Sequence, residues 1–213
     1  MQFLNFIKLL ALSVALSVAP VTHAQENNNA QEKLETFVQQ VQTAKGRFTQ
    51  QRVEENGEPV GDMQTGRFSF SRPGMFKWHV TKPYEQLTIS DGKKILQYDP
   101  DLDQLIIRPD SSSDKNSPAA ILFGTANLNE AFDLEILPDK ENMNWVRAKP
   151  KADDAGFEYI DIGFKGWQPA ALLLKDSFGQ FTNMTLEKVT PNVDLPKEEF
   201  TFDPPEGTEI VEM

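Results

Sequence analysis

Apolar residues recur at every second position through most of this chain, and at helical spacing in one clear stretch near its start. Leu34, Phe37, Val38 and Val41 fall at i, i+3, i+4 and i+7, a single apolar stripe that predicts an amphipathic helix. Asn29, with Glu32 three residues on, has the form of an N-terminal capping pair, and the helix should stop near Thr43. From there the period drops to two. "GRFTQQRV", "DMQTGRFSFSR", "MFKWHV", "YEQLTIS", "KKILQYD" and "LDQLIIR" read as strands, with Asp91-Gly92 and Asp99-Pro100 as turns. A second series follows: "AFDLEIL", "MNWVRAK", "FEYIDIGF", "AALLLKDS", "QFTNMTLEKV" and "EEFTFD". The count is about eleven strands without an internal repeat, which predicts a barrel or sandwich. A sheet this long curls, because each strand twists against the last.

Two departures from the pattern point to function. Pro109–Gly124 is a long Ser-rich loop that runs into the short apolar stretch "AAILF", with Pro118 and Gly124 placed to start and end one or two helical turns. Long loops in compact domains are often lids or binding elements. In "FEYIDIGF", Phe157 and Tyr159 face one way and Ile160, Ile162 and Phe164 the other, so apolar surface lies on both sides of some strands. An ordinary core under packed helices accounts for this, and so does a curved sheet enclosing an apolar cavity with the helices as its lid. The second departure is Arg72, which follows Phe68 and Phe70 in strand phase just before Pro73-Gly74. A guanidinium in line with an apolar row is costly unless its donors are met. Either the strand is leaving the sheet and Arg72 reaches water, or Arg72 stands at a cavity rim and its donors meet lid carbonyls such as those at a helix C-terminus. Strand phase alone leaves both open.

The N-terminus adds a location. Lys8, the apolar run "LLALSVALSVA", Pro20 and "VTHA" form a secretory signal peptide with cleavage expected after Ala24. The apolar run is too short to span a bilayer, which takes about 20 residues. Residues 25–213 then form the expected single domain of 213 − 24 = 189 residues. The sequence has no Cys, so neither disulfides nor a lipidated N-terminal Cys are available, and a soluble, unanchored exported protein is expected. Without Lys8 the charge is 20 − 32 = −12, which disfavours nucleic acid and anionic lipid surfaces as partners.

The catalytic inventory is thin. His23 leaves with the signal segment, so His79 is the remaining histidine, opposite Phe76 and Trp78 in strand phase. No His/Cys metal site and no Gly-rich phosphate loop can be assembled. Carboxylate pairs such as Glu54-Glu55, Asp153-Asp154 and Glu198-Glu199 fall at turns or strand ends and read as solvated surface. No catalytic residue, metal or cofactor is expected.

An ordered set of short motifs runs along the chain: "RFTQ" (47–50), "GRFSFSRPGMFKWHVTKPYEQLTISDGKKILQYDP", "SPAAILFG" and "FTFDPPEG" (200–207). Within it stand Arg72-Pro73, Phe76, Trp78, Pro83, Ser90-Asp91-Gly92 and Tyr98. This set resembles the LolA family of periplasmic outer-membrane lipoprotein carriers across nearly the whole mature chain. The resemblance implies a mainly β fold: an unclosed, strongly curved antiparallel β-barrel with a helical lid over an apolar cavity. It implies a monomeric carrier that accepts lipoproteins from the LolCDE ABC transporter, shields their acyl chains and passes them to the receptor LolB. By that likeness Arg72, Leu122 and Phe123 form the lid latch, and Phe76 is a docking point for the transporter. Phe68, Phe70, Trp78, Leu34, Phe37, Val38, Val41 and Ile121 line the acyl-chain site. Ala119-Ala120 stand where the family has bulkier apolar residues, which implies looser lid packing. A carrier or sensor of another lipid or glycolipid on the same scaffold is the alternative.

Overall fold

The computed structural model describes residues 30–109, 121–122, 128–153 and 155–213. The signal segment, the Asn29 cap, Pro118, Ala119-Ala120, Phe123 and Gly124 lie outside the described residues. The apolar stripe near the start forms helix α1 (Ala30–Gln40), with Leu34 and Phe37 on its buried side. It stops three residues short of Thr43, because the chain enters β1 there and pairs on both sides.

The strands are β1 (Thr43–Val53), β2 (Pro59–Ser71), β3 (Met75–Lys82), β4 (Gln86–Asp91), β5 (Lys94–Asp99) and β6 (Gln104–Pro109). After a short helix α2 (Leu128–Ala131) come β7 (Phe132–Lys140), β8 (Met143–Pro150), β9 (Phe157–Lys165), β10 (Gln168–Asp176), β11 (Phe181–Pro191) and β12 (Glu209–Glu212). All twelve belong to one sheet in the order β12-β6-β5-β4-β3-β2-β1-β11-β10-β9-β8-β7. β12 and β7 end the sheet without meeting, so it is unclosed. Twist accumulated over so many strands makes it curl, and a curled sheet has an inner and an outer face.

The inner face holds the main core. Phe48, Phe68, Phe70, Val146, Ile160, Ile162 and Phe164 pack there with Leu34, Phe37 and Val41 at the helix end of the chain. α1 lies across β7–β10, and its Phe37 ring meets Phe70 of β2 edge-on at 6.4 Å. The outer face carries a smaller core. Leu87 and Ile89 of β4, with Met75, Leu96 and Tyr98, are covered by Leu195, Phe200 and Phe202.

Two glycines let the inner face pack flat. Gly46 and Phe68 are cross-strand partners, and so are Phe48 and Gly66. A Cβ on Gly46 would stand 2.7 Å from the Phe68 ring, and one on Gly66 would stand 2.2 Å from the His79 carbonyl oxygen. The bare backbone leaves room for Phe48 to stack on Trp78 with centroids 3.7 Å apart.

Three expectations change. "EEFTFD" is not a strand: Lys197–Phe200 is a 3-10 turn, and Phe200 and Phe202 use their alternation to pack on the outer face. Pro196, Pro204 and Pro205 lack the N–H that a paired strand needs. The strand in this region is instead β12, pairing parallel with β6 and covering its edge. Phe157 does not share a face with Tyr159: a register shift opposite Lys175/Asp176 separates them, and Phe157 joins the main core beside Phe132.

Candidate functional site

Arg72 sits at the end of β2, still in phase with Phe68 and Phe70, and points to the inner face. Its Nε donates to the Val41 carbonyl at 2.8 Å, and its Nη2 donates to the Leu122 carbonyl at 2.5 Å. The guanidinium carbon lies 5.0 Å from the centre of the Phe70 ring. Arg72 therefore ties the C-terminal end of α1 to the segment holding Ile121 and Leu122. Helix C-termini present unpaired carbonyls and a partial negative charge, so a cation there is favourable. Burial pushes the Arg72 pKa down to about 10, which leaves it cationic at neutral pH.

Beneath this contact the surface is apolar. Ile121 and Leu122 are helical and buried in the main core. Leu34, Phe37, Val41, Phe68 and Phe70 are buried in the same cluster, and Val38, Phe76 and Trp78 pack against it half-buried. The expected latch and lining residues that are described thus meet at one place, and Phe76 is opposite Phe70 on the neighbouring strand. Phe123 lies outside the described residues.

Two further attachments of α1 escaped the sequence reading. Asn192, just past β11, accepts the Gln42 N–H at 2.9 Å through Oδ1 and donates Nδ2 to the Gln40 carbonyl at 3.2 Å. It closes the helix end from the outside, and its own φ of 52° is one that Asn tolerates. Pro191-Asn192 marks a turn in the sequence, but nothing local says that the turn serves a helix end. At the other end of α1, Lys33 Nζ donates to Asn144 Oδ1 at 2.5 Å, and Asn144 Nδ2 donates to Asp139 at 3.0 Å. Nothing in the spacing of residues 33 and 144 foretells that contact.

Among the described residues no cluster of His, Cys, Asp and Glu is arranged to hold a metal ion, and no helix is long and apolar enough to cross a membrane. His79 is half-buried on the outer face and its Nε2 lies 2.7 Å from Glu85.

Fold and site together define a class: a mainly β protein with one unclosed, curved sheet whose apolar inner face is packed by helical pieces, with an arginine bonded to the carbonyls of two of them. The sequence model described as outer membrane lipoprotein carrier protein LolA matches residues 39–203, and the chain belongs to that family. A protein named outer-membrane lipoprotein carrier protein from Bordetella avium is 46% identical over 99% of this chain and 96% of its own. Its namesake from Bordetella pertussis is 47% identical over 93% of this chain and 92% of its own. A more distant one from Dechloromonas aromatica is 35% identical over 98% of both. Among solved structures, an uncharacterized conserved protein from Thermus thermophilus has the same fold, with a TM-score of 0.55 and 15% identity over 86% of this chain and 99% of that one.

Proposed function

We propose that this protein is a periplasmic carrier of outer-membrane lipoproteins, made with a signal peptide at residues 1–24 and acting as the single domain 25–213. It takes lipoproteins from LolCDE at the inner membrane, holds their acyl chains against the inner face, and gives them to LolB. Phe76, one turn beyond Arg72, is the docking point for the transporter. The observation that carries the reading is the Arg72 contact: one cation holds two separate lid pieces by their main-chain carbonyls over an apolar interior.

The physical logic is a competition. Burying each CH₂ is worth about 0.8 kcal/mol, so free acyl chains do not cross water alone. Uptake must part α1 and the Leu122 segment from the sheet, which breaks hydrogen bonds worth roughly 1.5–3 kcal/mol each when one partner is charged. The closed empty state therefore lowers the apparent affinity for lipid and favours release. The carrier binds tightly enough to shield its cargo and loosely enough to surrender it.

The test uses purified mature protein and inner-membrane vesicles loaded with a lipoprotein. Release of lipoprotein into a soluble complex with the carrier is the expected result. If the lipoprotein stays on the vesicles, and free glycolipid is what co-purifies, the alternative cargo replaces this one.

A further inference from the structure

The outer face of β1–β3 carries a charge pattern that the fold does not need. Side chains one position out of phase with the inner-face aromatics point here, and they are Lys45 and Arg47 of β1, Arg67 of β2 and Lys77 of β3. Arg47 and Arg67 are directly opposed across the strand pair, an arrangement of like charges that destabilises a sheet. On the far side, β11 carries one extra residue where Lys45 and Arg47 meet Thr190 and Glu187. Lys188 sits in that bulge with φ of 51°, in the left-handed region that is unfavourable for a side chain with a Cβ. Both features cost stability, and both place cations round one recess of about 570 Å³. Among the described residues, none of Lys45, Arg47, Arg67, Lys77 and Lys188 lies within 4.0 Å of a carboxylate partner. This is in a chain of net charge −11, where acidic side chains are plentiful.

We infer that this recess is a docking groove for an extended acidic segment of a partner protein. Three observations favour a peptide. First, the recess already holds a carboxylate from a chain segment laid over it: Glu199, in the 3-10 turn that crosses the outer face, lines it and accepts a hydrogen bond from buried Ser69 at 2.9 Å. Second, side chains two apart on a strand are about 6.8 Å apart, so an extended peptide with acids at alternate positions matches Lys45 and Arg47 in spacing. Third, the strands beneath are paired on both sides, so recognition falls to side chains and charge rather than to strand addition. An anionic bilayer fits poorly, since the chain round these cations is acidic, with a net charge of −11. The groove is on the face opposite the lid and is independent of the cargo reading.

The test measures fluorescence anisotropy of a labelled peptide alternating Asp and Ser, against its Asn-Ser counterpart, with the mature protein. Binding of the acidic peptide alone is expected, weakened about tenfold or more on raising salt from about 0.05 to about 0.3 M. Arg47→Glu with Arg67→Glu should weaken it by at least about tenfold. Lys149→Glu with Lys151→Glu changes net charge equally on β8 and its flank and should leave it within about twofold. The milder Arg47→Gln with Arg67→Gln pair, checked by thermal melting, keeps the result readable if the reversal misfolds. The groove assignment is overturned by no peptide binding, by equal losses in both reversal pairs, or by phosphatidylglycerol vesicles or pyrophosphate binding through Arg47 and Arg67 in place of the peptide.

Discussion

Arg72 and Arg147 are both drawn out of bulk water, and they are held in opposite ways. Arg147 of β8 is directly opposite Asp161 of β9 and clasps it with two bonds, Nε to Oδ1 at 2.6 Å and Nη2 to Oδ2 at 2.8 Å. Its guanidinium also lies 3.7 Å from the Tyr159 ring centre. The hydrogen bond to Asp161 holds the Arg147 pKa above its ordinary value. Arg72 bonds the main-chain carbonyls of Val41 and Leu122, and its pKa is lowered by burial. A full counter-charge on an adjacent strand makes a fixture. Carbonyl dipoles on segments that are not part of the sheet make a contact that can be given up and remade. The two arginines thus separate a contact made within the sheet from one made to segments outside it.

The largest effect should come from breaking the fixture. Asp161→Ala strands a half-buried guanidinium, and urea unfolding should show a loss of about 3 kcal/mol. If Arg72→Leu costs as much stability, the distinction fails. That variant should instead change unfolding by less than about 1 kcal/mol, because the burial cost of the cation goes with its bonds. Its effect should appear in delivery: lipoprotein is still accepted, while transfer to the receptor falls at least about tenfold, the worth of about 1.5 kcal/mol. Normal onward transfer by Arg72→Leu would sink the latch. Lys33→Ala, which frees the other end of α1 from Asn144, should cost about 1 kcal/mol and leave delivery within about twofold, since one part-buried hydrogen bond is lost. Smallest of all is the expected effect of pH. With a folded pKa of about 10 below its unfolded value, Arg72 binds fewer protons in the native state only above about pH 10. Stability linked to it therefore rises with pH there and is flat below. The difference between wild type and Arg72→Leu should not change between about pH 5 and 9; a midpoint inside that window would contradict a latch made by a permanent cation.

The alternation of Phe68, Phe70 and Arg72 put the arginine in phase with the apolar row but left open whether it stays there or reaches water, and the stripe Leu34, Phe37, Val41 placed the buried side of α1. Those are local periodicities, and local periodicity survives folding. What strand phase could not decide was the partner of Arg72, because Val41 and Leu122 are 31 and 50 residues away in the chain. The ordered likeness to a family supplied that expectation, not the residue spacing. Asn192 and Lys33 were missed for the same reason, each acting across a distance that no motif spans. The C-terminal stretch failed differently. "EEFTFD" has a strand's alternation, but Phe200 and Phe202 spend it on the outer core, while "EIVE", too short and too acidic to stand out, completes the sheet.

The seating of β1 between β2 and β11 has a consequence in time. Gln42 and Asn192, joined at that seam, are 150 residues apart in the chain. The two halves of the sheet can each form from near neighbours, but they cannot be sewn together until almost the last residues are available. Contacts of such long sequence separation slow folding. A chain with this topology reaches its final shape late, after nearly all of it is available, which keeps the apolar interior from closing on an incomplete molecule.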